Sequence, residues 1–170
     1  MDKLKEYDIE FIKLKLGDHS FEYHLDDSFF KAFNSSLSTE DIKVDLLFRK
    51  SNTMFTLEFD YSGKVGLECD RCLSPIQLPI SGKHTVIVKI TEYPMESEDD
   101  LIYIGSHDYK INIAQHMFDF VTLSIPIKKT CSDVGKVCDP AVTSNITSMI
   151  DVDNGDFIPD RDTDEEEETE

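Results

Sequence analysis

Between Ile42 and Cys69 the chain keeps a period of two. Ile42, Val44, Leu46 and Phe48 alternate with Lys43, Asp45, Leu47 and Arg49. Phe55, Leu57, Phe59 and Tyr61 alternate with Thr56, Glu58 and Asp60, and Val65, Leu67 and Cys69 repeat the beat. Successive side chains of a strand point to opposite faces, so this stretch buries one face and wets the other. The polar breaks Ser51-Asn52 and Ser62-Gly63 read as turns, which makes the stretch a three-stranded antiparallel meander.

The flanking segments extend that frame. Gly17-Asp18 predicts a hairpin turn between residues 7–16 and 20–25. Asp26, Asp27 and Ser28 offer caps for a short helix over residues 28–34, through Phe29, Phe30 and Phe33. Pro75 and Pro79 bracket a connector, residues 84–91 are strand-like, and residues 94–100 form an acidic loop. Short strands are expected around residues 101–104 and 109–111. Asn112 with Gln115 has the spacing of a capping box for a helix over residues 113–124. Its inner face is Ile113, Met117, Phe120, Val121 and Ser124, widened by Phe118 and Leu123; Pro126 ends it. His116 falls mid-helix, as a satisfied or exposed histidine. The expected class is α+β, dominated by antiparallel strands: one β-rich domain over residues 1–150 and a tail over residues 151–170.

Four cysteines stand out against this scaffold. Cys69 and Cys72 have the C-x-x-C spacing of a metal knuckle, where a tight turn aims two sulfurs at one point, as tetrahedral Zn²⁺ requires. Cys131 and Cys138 follow Pro126 at the looser C-x6-C spacing. If all four converge, they form a structural zinc site that ties the middle of the chain to its C-terminal part. Two other readings stand beside this one. Cys69 lies on the apolar beat, as a core thiol would. The pair also has redox spacing, but no helical pattern follows Cys72 to lower a thiol's pKa. The first residues, Met1-Asp-Lys-Leu-Lys, lack a signal peptide's apolar run, so the cytoplasm, where thiols stay reduced, is the expected compartment. No stretch is long and apolar enough to suggest a membrane span.

Charge is unevenly spread. Of the net −18, residues 151–170 carry eleven acids against the single base Arg161, which leaves about −8 for the rest. Such a run of acids predicts a solvated, disordered tail. Phosphate-cradling glycine loops, a G-x-S-x-G elbow and an H-E-x-x-H pair are all missing, and no small-molecule substrate site is apparent. Four thiolates would close a zinc shell and leave no position for activated water. The chain therefore reads as a non-enzyme.

Cys69-Asp-Arg-Cys-Leu-Ser-Pro75, the segment from Ile111 to Ile127 with its Leu-Ser-x-Pro exit, and Cys138-Asp-Pro140 together carry a resemblance. The chain resembles the YceD-like family of large ribosomal RNA subunit accumulation proteins, most strongly over residues 67–140. The resemblance implies an assembly factor supporting accumulation of the large-subunit, 23S-type ribosomal RNA. It implies binding to that RNA or to the 50S precursor. Its motif positions fall on Cys69, Arg71, Cys72, Pro126, Cys131 and Cys138. Phosphate contacts need Lys and Arg. Arg71, Lys128, Lys129 and Lys136 would stand beside a closed knuckle and are the expected RNA-binding residues, with Lys83 a further cation. The alternative partner is basic: an acidic module that engages a ribosomal protein and carries the zinc knuckle as a structural element.

Overall fold

The computed structural model describes residues 2–35, 37–92, 96 and 100–144. The expected tail over residues 151–170 lies outside the described residues, as does most of the acidic loop. The class is α+β, with 47% of residues in strands. Five strands form the main sheet, in the order β2 (Gly17–Leu25), β3 (Ser38–Lys50), β4 (Met54–Glu68), β5 (Pro75–Thr91) and β6 (Leu101–Gly105). All neighbours are antiparallel except β5 and β6, which run parallel. A second, two-stranded sheet joins β1 (Asp8–Ile9) to β7 (Ile111–Asn112).

The period of two sets the inner face. Ile42, Val44, Leu46 and Phe48 of β3 and Phe55, Leu57, Phe59 and Tyr61 of β4 are all buried. Against them pack Tyr7, Ile9 and Phe11 from the N-terminal segment, and the two helices α1 (Asp27–Ala32) and α2 (Ala114–Leu123). Asp26 caps α1 by accepting from Ser28 N at 2.9 Å and Phe29 N at 3.1 Å, as its residue type predicts. Phe33, just past α1, stacks on Phe118 of α2 at 4.5 Å. Phe120 of α2 meets Phe59 edge-on and stacks flat on His84.

Three sequence expectations about strands are corrected. Residues 7–16 do not pair with residues 20–25. They form 3-10 turns around β1, while β2 pairs along its whole length with β3, from Gly17 opposite Lys50 to Leu25 opposite Ile42. Nine residues of ladder outweigh a two-residue turn signal. Ser62-Gly63 is not a turn either: β4 runs straight through it, with Gly63 opposite Ile42. Nor do Pro75 and Pro79 bracket a connector, because β5 is continuous. Proline is tolerated on an open edge. β6 covers β5 only from Ile87 to Thr91, so the other side of the ladder near Pro79 is open. The hairpin β4–β5 is therefore long, and its tip is the loop that holds Cys69 and Cys72.

The helix differs in detail from the expectation. Asn112 Oδ1 accepts from Ala114 N at 3.0 Å, but Gln115 reaches Asp119 at 2.8 Å instead of closing a capping box. Leu123 points outward at 78% exposure. His116 is half-buried and its Nδ1 has no partner; burial holds its pKa below the usual value, so the ring is neutral. Tyr61 links helix to sheet, its hydroxyl donating to Phe120 O at 3.1 Å. That carbonyl also accepts from Ser124 N, so Tyr61→Phe strands no acceptor. The expected loss is about 1 kcal/mol in a denaturant titration. A loss several times larger would mean that the hydroxyl's second, longer contact, with His84 Nε2 at 3.4 Å, carries weight as well.

Candidate metal centre

The tip of the β4–β5 hairpin is a tight loop. Cys69 N donates to Ser74 O and Leu73 N to Cys69 O, both at 2.9 Å. Arg71 N points back at Cys69 Sγ, 3.4 Å away. The loop closes through Leu73, whose φ of 59° lies in the left-handed region, an uncommon conformation for a residue with a branched side chain. Cys69 and Cys72 thereby face the same side.

The second pair is held by an ordered turn. Thr130 and Asp133 form a capping box around the 3-10 turn Cys131–Val134. Gly135, with φ 69°, reverses the chain, and Lys136 N donates to Cys131 O at 2.8 Å. A side chain at Gly135 would resist that left-handed conformation. This turn takes up the six residues between Cys131 and Cys138. A latch holds the two segments together: Asp70 N donates to Lys129 O at 2.9 Å. Lys129 N donates to Asp70 Oδ2 at 2.8 Å, and its Nζ lies 2.7 Å from Oδ1.

All four cysteine sulfurs lie within 4.8 Å of one another. Cys69 Sγ is 3.8 Å from Cys138 Sγ, and Cys72 Sγ is 3.4 Å from Cys131 Sγ. Four sulfurs at ~2.3 Å from one tetrahedral ion stand about 3.8 Å apart, so the donor set and its spacing fit Zn²⁺. Cys69, Cys72 and Cys131 are buried and Cys138 half-buried; among the described residues Ile76 alone completes their buried cluster, and the partly buried Leu67 and Val134 pack between it and the main core. Apolar packing alone is thin here.

The thiols are not equivalent. The Ser74 hydroxyl, with the backbone N–H groups of Ser74 and Asp139, pulls Cys72 down to about 6. Burial pushes Cys131 up to about 12 and raises Cys138 as well. At Cys69 burial acts upward, but the N–H groups of Arg71, Cys72 and Cys131 outweigh it, and the thiol is lowered. One thiolate is thus ready at neutral pH. The other thiols would ionise only beside a cation, because like charges this close repel one another.

Beside the cluster is a hollow of about 480 Å³, lined by Arg71, Lys128, Lys136, Thr130, Ser132 and Val137 among others. Three of the four expected RNA-binding cations thus meet in one place. Lys129 is turned to Asp70, whose carboxyl it holds below the usual range through their hydrogen bond. Lys83 lies elsewhere, paired with Asp60 on the outward face of the sheet. A larger hollow of about 770 Å³ flanks Cys69 on another side, and Lys129 is the only base lining it. Sequence reasoning missed the latch and the Thr130–Asp133 box. The box has a legible [ST]-x-x-[DE] signature; the latch, across 59 residues, has none.

No curated protein and no solved structure is significantly similar to the chain. No helix among the described residues is long and apolar enough to cross a membrane. Residues 57–169, which take in both cysteine pairs and about two-thirds of the chain, match the family described as "Large ribosomal RNA subunit accumulation protein YceD". From β4 through the metal centre and beyond, the match spans the elements that build the site, and the chain belongs to the YceD family.

Proposed function

We propose that the protein is a non-catalytic assembly factor of the large ribosomal subunit, acting in the cytoplasm and contacting ribosomal RNA, or the precursor particle that contains it. Contact is made by the cationic flank of a zinc-closed knuckle. Cys69, Cys72, Cys131 and Cys138 would hold the zinc, and the ion would supply structure only, since four thiolates fill its shell. The observation that carries this reading is the meeting of Arg71, Lys128 and Lys136 around one hollow in a chain of net charge −18. Phosphate contacts need concentrated Lys and Arg, and closure of the knuckle brings scarce bases together. Lys129 is paired with Asp70 and serves the latch that holds this flank in place.

A second reading has one observation in its favour. Glu22, Asp45 and Asp60 lie in register on three adjacent strands of the outward sheet face, a surface a basic ribosomal protein could engage. Lys43 already pairs with Glu22 and Asp45, and Lys83 with Asp60, so little negative charge is left over there.

Depleting the protein from cells tests the first reading. Large-subunit RNA and 50S particles should fall while small-subunit levels change less, and a chain carrying Arg71→Ala, Lys128→Ala and Lys136→Ala together should fail to restore them. Full restoration by a stably folded triple variant would remove the flank from the function.

A further inference from the structure

We infer that the RNA taken by this flank is double-helical and is held by its backbone, not read through unpaired bases. The inference rests on the RNA-contact reading above. It starts from which side chains surround the hollow and which do not.

Proteins that grip single strands stack successive bases on exposed aromatic rings, at roughly 1–3 kcal/mol per base. Here the rings are turned inward: Phe30, Phe48, Phe55 and Phe59 are among the largest fully buried side chains. Among the described residues Tyr109, 53% exposed, is the one exposed Phe or Tyr ring, and His24 and His107 are the exposed imidazoles; none of the three lines the hollow beside the knuckle. The Tyr109 carbonyl accepts from Ile12 N, and Ile12 shares a hollow with Ser51 and Asn52 at the β3–β4 turn. The knuckle closes the opposite end of β4, roughly 45 Å along the strand. Arg71 offers the cationic flank a single planar group, too little for a platform under several bases.

What the flank offers matches a duplex. Double-stranded RNA is recognised by shape, phosphates and 2′-hydroxyls across its wide, shallow minor groove. Arg71, Lys128 and Lys136 supply charge for phosphates, and Thr130, Ser132 and Thr143 bring to the same hollow hydroxyls whose protons are engaged within the chain and whose oxygens can accept from 2′-hydroxyls. Val137, 93% exposed, lines the hollow, and the fully exposed Ile127 precedes Lys128. These aliphatic groups suit the C–H faces of riboses along a shallow groove and have no stacking role.

The test uses the full-length, zinc-loaded protein with a short RNA hairpin, the unpaired strand of the same sequence and the matching DNA duplex. The hairpin should bind at least about tenfold more tightly than the unpaired strand, and changing its sequence should move affinity by no more than about threefold. The DNA duplex, lacking 2′-hydroxyls, should bind more weakly than the hairpin. Lys128→Ala and Lys136→Ala should each lower the salt slope of binding by about one, and Lys89→Ala, on the outward face of β5, should leave it unchanged. Equal or tighter binding of the unpaired strand, or strong dependence on hairpin sequence, overturns the duplex inference and leaves the RNA-contact reading standing. Failure of the folded, zinc-loaded protein to bind any RNA overturns both.

Discussion

Protein purified without chelator should carry one zinc per chain, and stripping that zinc should lower the melting temperature by roughly 10 °C. The size follows from mass action. A ligand at a thousandfold its dissociation constant stabilises the folded state by about 4 kcal/mol. In a domain of this size each kcal/mol moves Tm by about 2–4 °C. The loss is bounded because the sheet keeps its own core of buried aromatic and aliphatic residues. Damage should therefore concentrate where the zinc closes the chain. Amides of residues 129–138 should lose exchange protection on chelation, while those at the centre of β4 keep theirs. Cys72→Ser and Cys131→Ser should each abolish stoichiometric zinc. Uptake should also depend on pH. Zinc takes thiolates, so binding releases the protons that Cys131 and Cys138 hold at neutral pH, and affinity must rise as pH rises. Cys72, lowered to about 6, adds to this slope only in more acidic solution. A metal-free preparation whose Tm and exchange pattern ignore added zinc would reduce the cluster to four neighbouring thiols without a metal role.

The sequence shows the inner face of the sheet because period two is a local signal, carried by Ile42 to Phe48 and Phe55 to Tyr61 without reference to any partner. It shows the first knuckle for the same reason: Cys69 and Cys72 sit within one turn of each other. What it hides depends on remote chain. Whether Gly17 begins a hairpin turn or a strand is decided by β3, which offers β2 a full-length ladder. Pro79 reads as a break until β6 proves too short to cover that part of β5. The spacing from Cys131 to Cys138 looks loose until Gly135 is seen to turn left-handed. The cations could be named from sequence, but only the latch between Asp70 and Lys129 distinguishes the lysine that is ion-paired within the site from those that line the hollow.

Gly63→Val should destabilise the protein by about 3 kcal/mol, at the upper end for overpacking. The reason lies in a close approach of two backbones. A Cβ at Gly63 would stand 2.6 Å from Asp41 O and 2.8 Å from Ile42 Cα, and backbone atoms cannot rotate away as a side chain can. β3 bulges here: its register with β4 shifts between Thr39 and Asp41. A bulge bends its strand and tightens the local twist, and the bend brings β3 over Gly63. The glycine thus supplies room within the ladder and does not turn the chain. One sign of this was present in the sequence. The apolar beat stays on odd positions from Phe55 through Tyr61 to Val65 and Leu67, although a turn at Ser62-Gly63 would be free to shift its phase. Gly66→Ala is the control, because its nearest neighbour is Gln77 Nε2 at 3.3 Å, the end of a flexible side chain. It should cost well under half as much, within the usual range of about 1 kcal/mol for a mild substitution. Hydrogen exchange separates strand from turn independently of either variant: amides from Ser62 to Val65 should be protected to the same degree as that of Phe59. Fast exchange there, or a Gly63→Val protein that melts within a degree or two of the parent, would restore the turn and divide β4 in two.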